Sequence, residues 1–413
     1  MTDVRAPSFP FSWDPFVRWF ALGRVFRLAI QVRTLLLGSA GVLLTIFGWW
    51  CIAQLFSGSD DARLKSMLAD YKSCPWTTAG DAPIRLPFYS LRSPRMGDAP
   101  GDAIIDPWSR LTAPVLQFFE VSQTFVGAAF LSLCILWAAA VWGVFGGALA
   151  RGAVLQLTRD EPASPVACLR YSLRRFWSYF SAPLLPLCVV IGMAIPLALL
   201  IGLPMRMSLL IGGLLWPLAL LAGLVGAILT AAMSVGWPLM HATIGAEGSD
   251  GFDALSRSYA YVYQRPIHYL LYGLAATILG FLGLMVVLLF ASAVEALAAW
   301  SVSWGSGAEL MQKAAARSSD LADHDLWGAK LIHFWNGLID VVVLGFAFGY
   351  FWNAASAVYL LLRRDADEVQ VDEVFLDDGG SGFGAPTMTT MVAESAGSAD
   401  VDGAAADIAT QPE

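Results

Sequence analysis

The sequence predicts an all-α integral membrane protein: six transmembrane helices, with two cytoplasmic interfacial elbow helices in an internal repeat. Three observations lead there. Of 413 residues, 57% are hydrophobic and only 14% are charged, whereas soluble domains carry about 25% charged residues. Apolar runs recur at or above the roughly 20 residues that a spanning helix needs. Two short aromatic and arginine-rich stretches interrupt these runs at related positions, PVACLRYSLRRFWSYF (165–180) and GFDALSRSYAYVYQRP (251–266). A transmembrane barrel would instead show alternating segments of about 10 residues.

The segment 1–33 carries Arg5, Arg18, Arg24, Arg27 and Arg33 ahead of the first apolar run. No small-residue cleavage site follows that run, so a secretory signal is not expected. Residues 13–33 predict an amphipathic helix on the cytoplasmic surface. The membrane domain, 34–362, divides into spans at 34–56, 121–149, 182–203, 207–240, 267–294 and 331–362. The fourth is longer than one crossing requires, and Pro217 and Pro238 predict kinks in it. Pro186 and Pro196 predict the same in the third, rather than unwound binding segments.

Arginine and lysine near span ends set orientation. With the N-terminus inside, fourteen lie in internal segments and four in short external ones. The long loop 57–112 is discounted, because long loops cross largely regardless of charge. Both ends are therefore expected in the cytoplasm, and the location is the inner membrane of a bacterium. The external segments 57–112 and 296–330 are expected to cap the outer face. From Asp365 to Glu413 there are twelve acidic residues and no basic ones. The tail 363–413 is therefore expected to be disordered, since it has too little apolar surface to offset its chain entropy.

The two interrupting stretches align at an offset of 86. Val166, Leu169, Leu173, Phe176, Trp177 and Phe180 fall opposite Phe252, Leu255, Tyr259, Val262, Tyr263 and Pro266, and Ser172 falls opposite Ser258. That spacing draws one stripe along a helix. Each stretch joins a span running inward to one running outward, so repeat units of about 121–203 and 207–294 are expected. The stripe should lie at the acyl boundary, with Arg170, Arg174, Arg175, Arg257 and Arg265 reaching lipid phosphates. Pro183 and Pro266 are expected to mark the turns into the next spans. Asp250 or Ser249 is expected to cap the second elbow, with Asp253 near its positive end.

A serine-centred elbow followed by an apolar span, repeated, resembles the membrane-domain group that includes the domain fused to some glycerophosphodiester phosphodiesterases. The resemblance covers about 120–300 and implies architecture, not activity. The stretches DGFDALSRSYAYVYQRPIHYLLY and YLLLRRDADEVQVDEVFLDD resemble segments of uncharacterised multi-pass membrane proteins of planctomycete-type bacteria. Neither resemblance carries over a catalytic residue.

Acids within spans are costly, roughly 2.5–3.5 kcal/mol at a helix centre on insertion scales. Asp340, with Asn336 one turn before it, and Glu295 and Glu120 at span ends all fall toward the outer leaflet. Together they form a candidate polar site. Gly143/Gly147 and Gly345/Gly349 are GxxxG pairs for close helix packing. The four histidines are scattered, and no catalytic or phosphate-binding motif is present. Neither a metal nor a cofactor is expected. Membrane lipids are the expected ligands, with protein partners through the acidic tail or external loops, and no nucleic acid. These features favour a non-enzymatic membrane scaffold or accessory subunit. The alternatives are a transporter or channel using Asp340, and a lipid-acting membrane enzyme.

Overall fold

The computed structural model describes residues 14–71, 101–120, 123–159, 164–316 and 323–367. Every regular element among them is helical, and six helices are long and apolar enough to cross a membrane. The chain is an all-α multi-pass membrane protein. In order it forms α1 (Asp14–Ala29), α2 (Val32–Leu55), α3 (Ala62–Tyr71), α4 (Ile105–Phe118), α5 (Phe125–Arg159) and α6 (Pro165–Arg174). There follow α7 (Phe176–Met207), α8 (Leu209–Glu247), α9 (Gly251–Gln264), α10 (Pro266–Ser306), α11 (Ala308–Ala316) and α12 (Asp323–Asp367). The crossing helices are α2, α5, α7, the stretch Leu209–Thr230 of α8, α10 and α12. They outrun the apolar runs of the sequence. The 35 residues of α5 reach about 50 Å at 1.5 Å per residue, against a hydrocarbon core of about 30 Å.

Small residues bring α2 and α12 together. A methyl on Gly345 would fall 2.7 Å from the Ser39 amide nitrogen, and one on Gly349 would fall 2.7 Å from the Thr34 methyl. In α5, a methyl on Gly147 would meet Ser172 Oγ at 2.6 Å, and Gly143 lies against Tyr179 and Phe180. Both GxxxG pairs thus serve packing inside the bundle. Indoles stitch α2 to α5: Trp49 Nε1 donates to the Cys134 carbonyl at 3.0 Å and Trp137 Nε1 to the Leu44 carbonyl at 2.9 Å.

Several expected elements take other positions. The face of α1 formed by Leu22, Val25 and Ala29 is buried, and Phe26 meets Phe346 of α12 edge-on at 5.9 Å. Bundle side chains cover that stripe. Residues 1–13 lie outside the described residues, as does the tail from 368 onward. The segment 296–330 is not one external helix. Glu295 to Ser306 continue α10, Gly307 breaks it at φ +85°, and α11 follows. Such a φ is strained for any residue with a Cβ.

The prolines of α7 and α8 lie within continuous helix, without unwound segments. One π-helical turn, Ala198–Gly202, follows Pro196, the usual local answer to a missing N–H donor. Ser208 alone, in extended backbone, turns the chain from α7 to α8. Beyond that turn Leu210 and Leu214 are about four-fifths exposed (82% and 81%), as befits side chains facing lipid.

The elbows α6 and α9 begin at Pro165 and Gly251, 86 positions apart as aligned, with Ser172 and Ser258 fully buried. Asp250 caps α9 by accepting from the Asp253 amide at 2.8 Å. Their lengths differ, 10 residues against 14. The first elbow ends at Arg175, and Pro183 lies inside α7, so the turn falls eight positions before the expected proline. Pro266 does open α10. Each elbow turns small residues and one tyrosine inward and part of its apolar stripe outward: Val166 is 64% exposed and Phe252 72%.

A buried polar cage beside a re-entrant helix

Both described parts of the loop 57–112 pack into the bundle. α3 turns Leu64, Leu68 and Tyr71 into the bundle, where Tyr71 meets Trp49 and Phe130 at 5.2 Å. Its start is clasped to α5 by Thr124 Oγ1 donating to Asp61 at 2.5 Å. α4 then climbs from deep inside. Ile104, at its N-terminus, lines a crevice with Leu239 of α8 and Phe351 and Ala354 of α12. The 14 residues of α4 lift the chain by roughly 20 Å to the level of Gln117, which accepts from the Tyr71 hydroxyl at 3.0 Å. Residues 105–118 therefore form a helix whose N-terminus is embedded in protein. Irregular backbone at such depth is tolerated only where protein or a cavity surrounds it.

The embedded N-terminus carries its own charges. Asp102 Oδ1 accepts from the amides of Ile104 at 2.6 Å and Ile105 at 2.8 Å. Asp106 accepts from the amides of Gly101 and Asp102. Arg110, 1% exposed, stands one turn on at 4.0 Å from Asp106. Asp102 thus satisfies the amides of Ile104 and Ile105 where the helix begins, Asp106 ties down the backbone leading into it, and both carboxylates favour its positive end.

Beside α4 lies a cage of rings. His241 of α8 is 1% exposed. Its ring centroid is 4.4 Å from Trp352, 5.3 Å from Tyr179 and 6.4 Å from Trp237. Trp142 completes the cage at 6.1 Å from Trp352. Glycines of α5 permit this approach, since a methyl on Gly146 would meet the Trp352 ring at 2.7 Å. The indole nitrogens of Trp142, Trp237 and Trp352, the Tyr179 hydroxyl, Ser172 Oγ and both nitrogens of His241 are buried without a hydrogen-bond partner. The Trp142 carbonyl lies near the imidazole without completing a bond of normal geometry. Each unpartnered buried group costs about 1–3 kcal/mol. Seven such atoms reach the scale of a whole protein's stability, about 5–15 kcal/mol.

A cavity of about 610 Å³, counting its mouth, adjoins the cage. Leu111 and Thr112 of α4 form one wall, Leu184 of α7 another, and Trp142, Trp237 and His241 the third. Without the mouth the enclosed space is about 80 Å³, room for a few waters or a very small solute.

The acids expected as one site divide. Glu295 and Asp340 lie within electrostatic reach of each other, and half-buried Asn336 is one turn from Asp340. Glu120 does not join them, because the Arg63 guanidinium holds it at the α3–α5 clasp, where it is 51% exposed. None of the four lines the cavity. Among the described residues no group of His, Cys, Asp and Glu is placed to hold a metal.

The arginines of the elbows are partly spent inside the protein. Arg175 donates to the Gly248 carbonyl, Arg151 to the Gly245 carbonyl at 2.6 Å, and the Tyr171 hydroxyl to the Ile244 carbonyl at 2.8 Å. Two cations and a hydroxyl thus close the negative end of α8, and Arg151 lies 4.5 Å over the Tyr171 ring. Glu247 beside them accepts from the Tyr359 hydroxyl at 2.5 Å and pairs with Arg257 and Arg363. Asp253 at 3.0 Å, with Glu247 beside it, raises the Arg257 pKa. Arg170, Arg174 and Arg265 are exposed.

Sequence reasoning missed the cage. Its one local signal is WPLMH, which sets Trp237 and His241 four apart on one helical face. The other members come from α5, α7 and α12, and only the fold assembles them. Compared with protein-family models, curated proteins and solved structures, the chain matches none.

Proposed function

We propose that the chain is a solute-handling membrane protein of the transporter class. Its substrate occupies the polar cage and the adjoining cavity, and α4 controls access. The observation that carries this reading is the set of unpartnered polar groups around His241, set beside a cavity walled by a re-entrant helix. A scaffold needs neither, and half-helices with embedded ends are characteristic of substrate sites in transporters. In this reading Asp340 and Glu295 form a separate outer polar pair.

We place both termini on the cytoplasmic side of a bacterial inner membrane. The arginine asymmetry supports this, as does the gathering of Arg151, Arg175, Arg257 and Arg363 at the elbow end of the bundle. Kinship with the phosphodiesterase-associated membrane domains remains part of the proposal, supported by the equal starts and buried serines of α6 and α9.

Native mass spectrometry tests the function on protein extracted with its own lipids in polymer-bounded discs. The wild type should carry a small molecule in fixed ratio. Ala139→Phe, and Thr112→Phe from the opposite wall, fill the cavity and should abolish it. Identical spectra for wild type and both variants would remove the reading.

A further inference from the structure

We propose that the groove beneath elbow α9 is a binding slot for an anionic phospholipid from the leaflet that the elbows face. The groove runs between Val189 of α7, Leu229 of α8 and the α9 residues Leu255, Tyr259 and Val262, and measures about 1730 Å³ with its open mouth. It shares no lining residue with the cavity beside the cage. The proposal stands independently of the transporter reading.

Three observations select the occupant. The first is the direction of α9. Its fully buried face is Gly251, Ala254, Ser258 and Tyr261; Leu255, Tyr259 and Val262, half-buried against the core, flank that face and also line the groove. Ala260 and Tyr263 complete the α9 wall and are exposed, a surface that an apolar occupant would cover. The second is the far wall. Leu218, Leu221 and Leu224 of α8 are all about three-fifths exposed, continuing an oily surface away from the elbow for the length of an acyl chain. The third is polarity at the near end. Arg265 immediately precedes Pro266, a lining residue. Its side chain is exposed and makes no hydrogen bond or ion pair among the described residues, whereas the Arg257 guanidinium is engaged by Asp253 and Glu247. The Tyr259 hydroxyl is buried without a partner.

Apolar walls, a hydroxyl at the boundary and a free guanidinium at the headgroup level form the complement of a phospholipid. The chains lie along α7 and α8, an ester carbonyl accepts from Tyr259, and the phosphate pairs with Arg265. A peptide segment would bring backbone amides into walls with little to bond them. A neutral amphiphile would leave Arg265 unused.

The test titrates the delipidated full chain with phosphatidylglycerol, and with phosphatidylcholine of the same acyl chains, and counts bound lipid by native mass spectrometry. Phosphatidylglycerol should bind more tightly. Arg265→Gln should weaken it about five-fold, as loss of one interfacial cation implies, and leave phosphatidylcholine unchanged. Ala260→Trp fills the groove from an exposed position on α9 and should weaken both lipids. Arg170→Gln, on the other elbow, should change neither. The proposal is overturned by equal binding of the two lipids, by an Arg170→Gln effect as large as that of Arg265→Gln, or by glycerol phosphate competing as well as the whole lipid. A dimer seated on the groove without lipid overturns it too.

Discussion

Asp106 and Arg110 show how a buried charge pair in this protein differs from an exposed one. Both are nearly inaccessible and stand 4.0 Å apart, so removing one partner leaves a charge in a medium that cannot solvate it. Asp106→Ala should cost about 3 kcal/mol in thermal or denaturant unfolding, and a double Asp106→Leu, Arg110→Met variant should recover most of that. Glu120→Gln, at a half-exposed pair, should cost less than about 1 kcal/mol. Asp61 gives the pH counterpart. The Thr124 hydroxyl, then the Leu64 and Arg63 amides, hold its carboxyl below the usual value of 3.8. The folded pKa is the lower one, so the stabilisation is complete above pH 3.8 and disappears as the pH falls through the folded value. Thr124→Ala should therefore be less stable than wild type at pH 7, with the gap closing in acid. A gap independent of pH would contradict this. Neither site was legible in the sequence. Asp102, Asp106 and Arg110 sit in a segment that reads as a polar external loop, and only the packing of α4 against α12 changes their surroundings.

The crossing helices were legible because apolar composition over 20 residues has one physical explanation in water. Their ends were less so. α5 and α12 run on through polar residues, since tertiary contacts there reward helix that hydropathy does not register. The elbows were located by phase; Pro165 at the first helical position opens one and the Asp250 side chain caps the other. Their unequal lengths reflect where the next helix begins, which Pro183 misjudged because proline is tolerated in a first turn or as a kink. The α2–α12 seam makes a direct prediction. Gly345→Val places carbon against the Ser39 amide and should cost about 1–3 kcal/mol or more, lowering the yield of folded protein. Gly273→Val has open space before it and should be tolerated.

The whole molecule separates three polar regions that the sequence presents as scattered residues. One end holds the α8 cap and Glu247 with its arginines, the other the clasp of α3 to α5. Between them lies a cage whose members come from α5, α7, α8 and α12, adjoining α4. Of the three only the cage is wholly shielded from solvent; the clasp and the Arg257 pairs are partly exposed. A single-particle map of the protein in lipid discs, at a resolution that shows side chains, tests this most directly. The account predicts α4 inside the bundle and density within hydrogen-bonding distance of His241 and at least one of the Trp142 and Trp237 indoles. An α4 lying on the outer surface, or a His241 ring bonded only to protein atoms with the cavity collapsed, would contradict it.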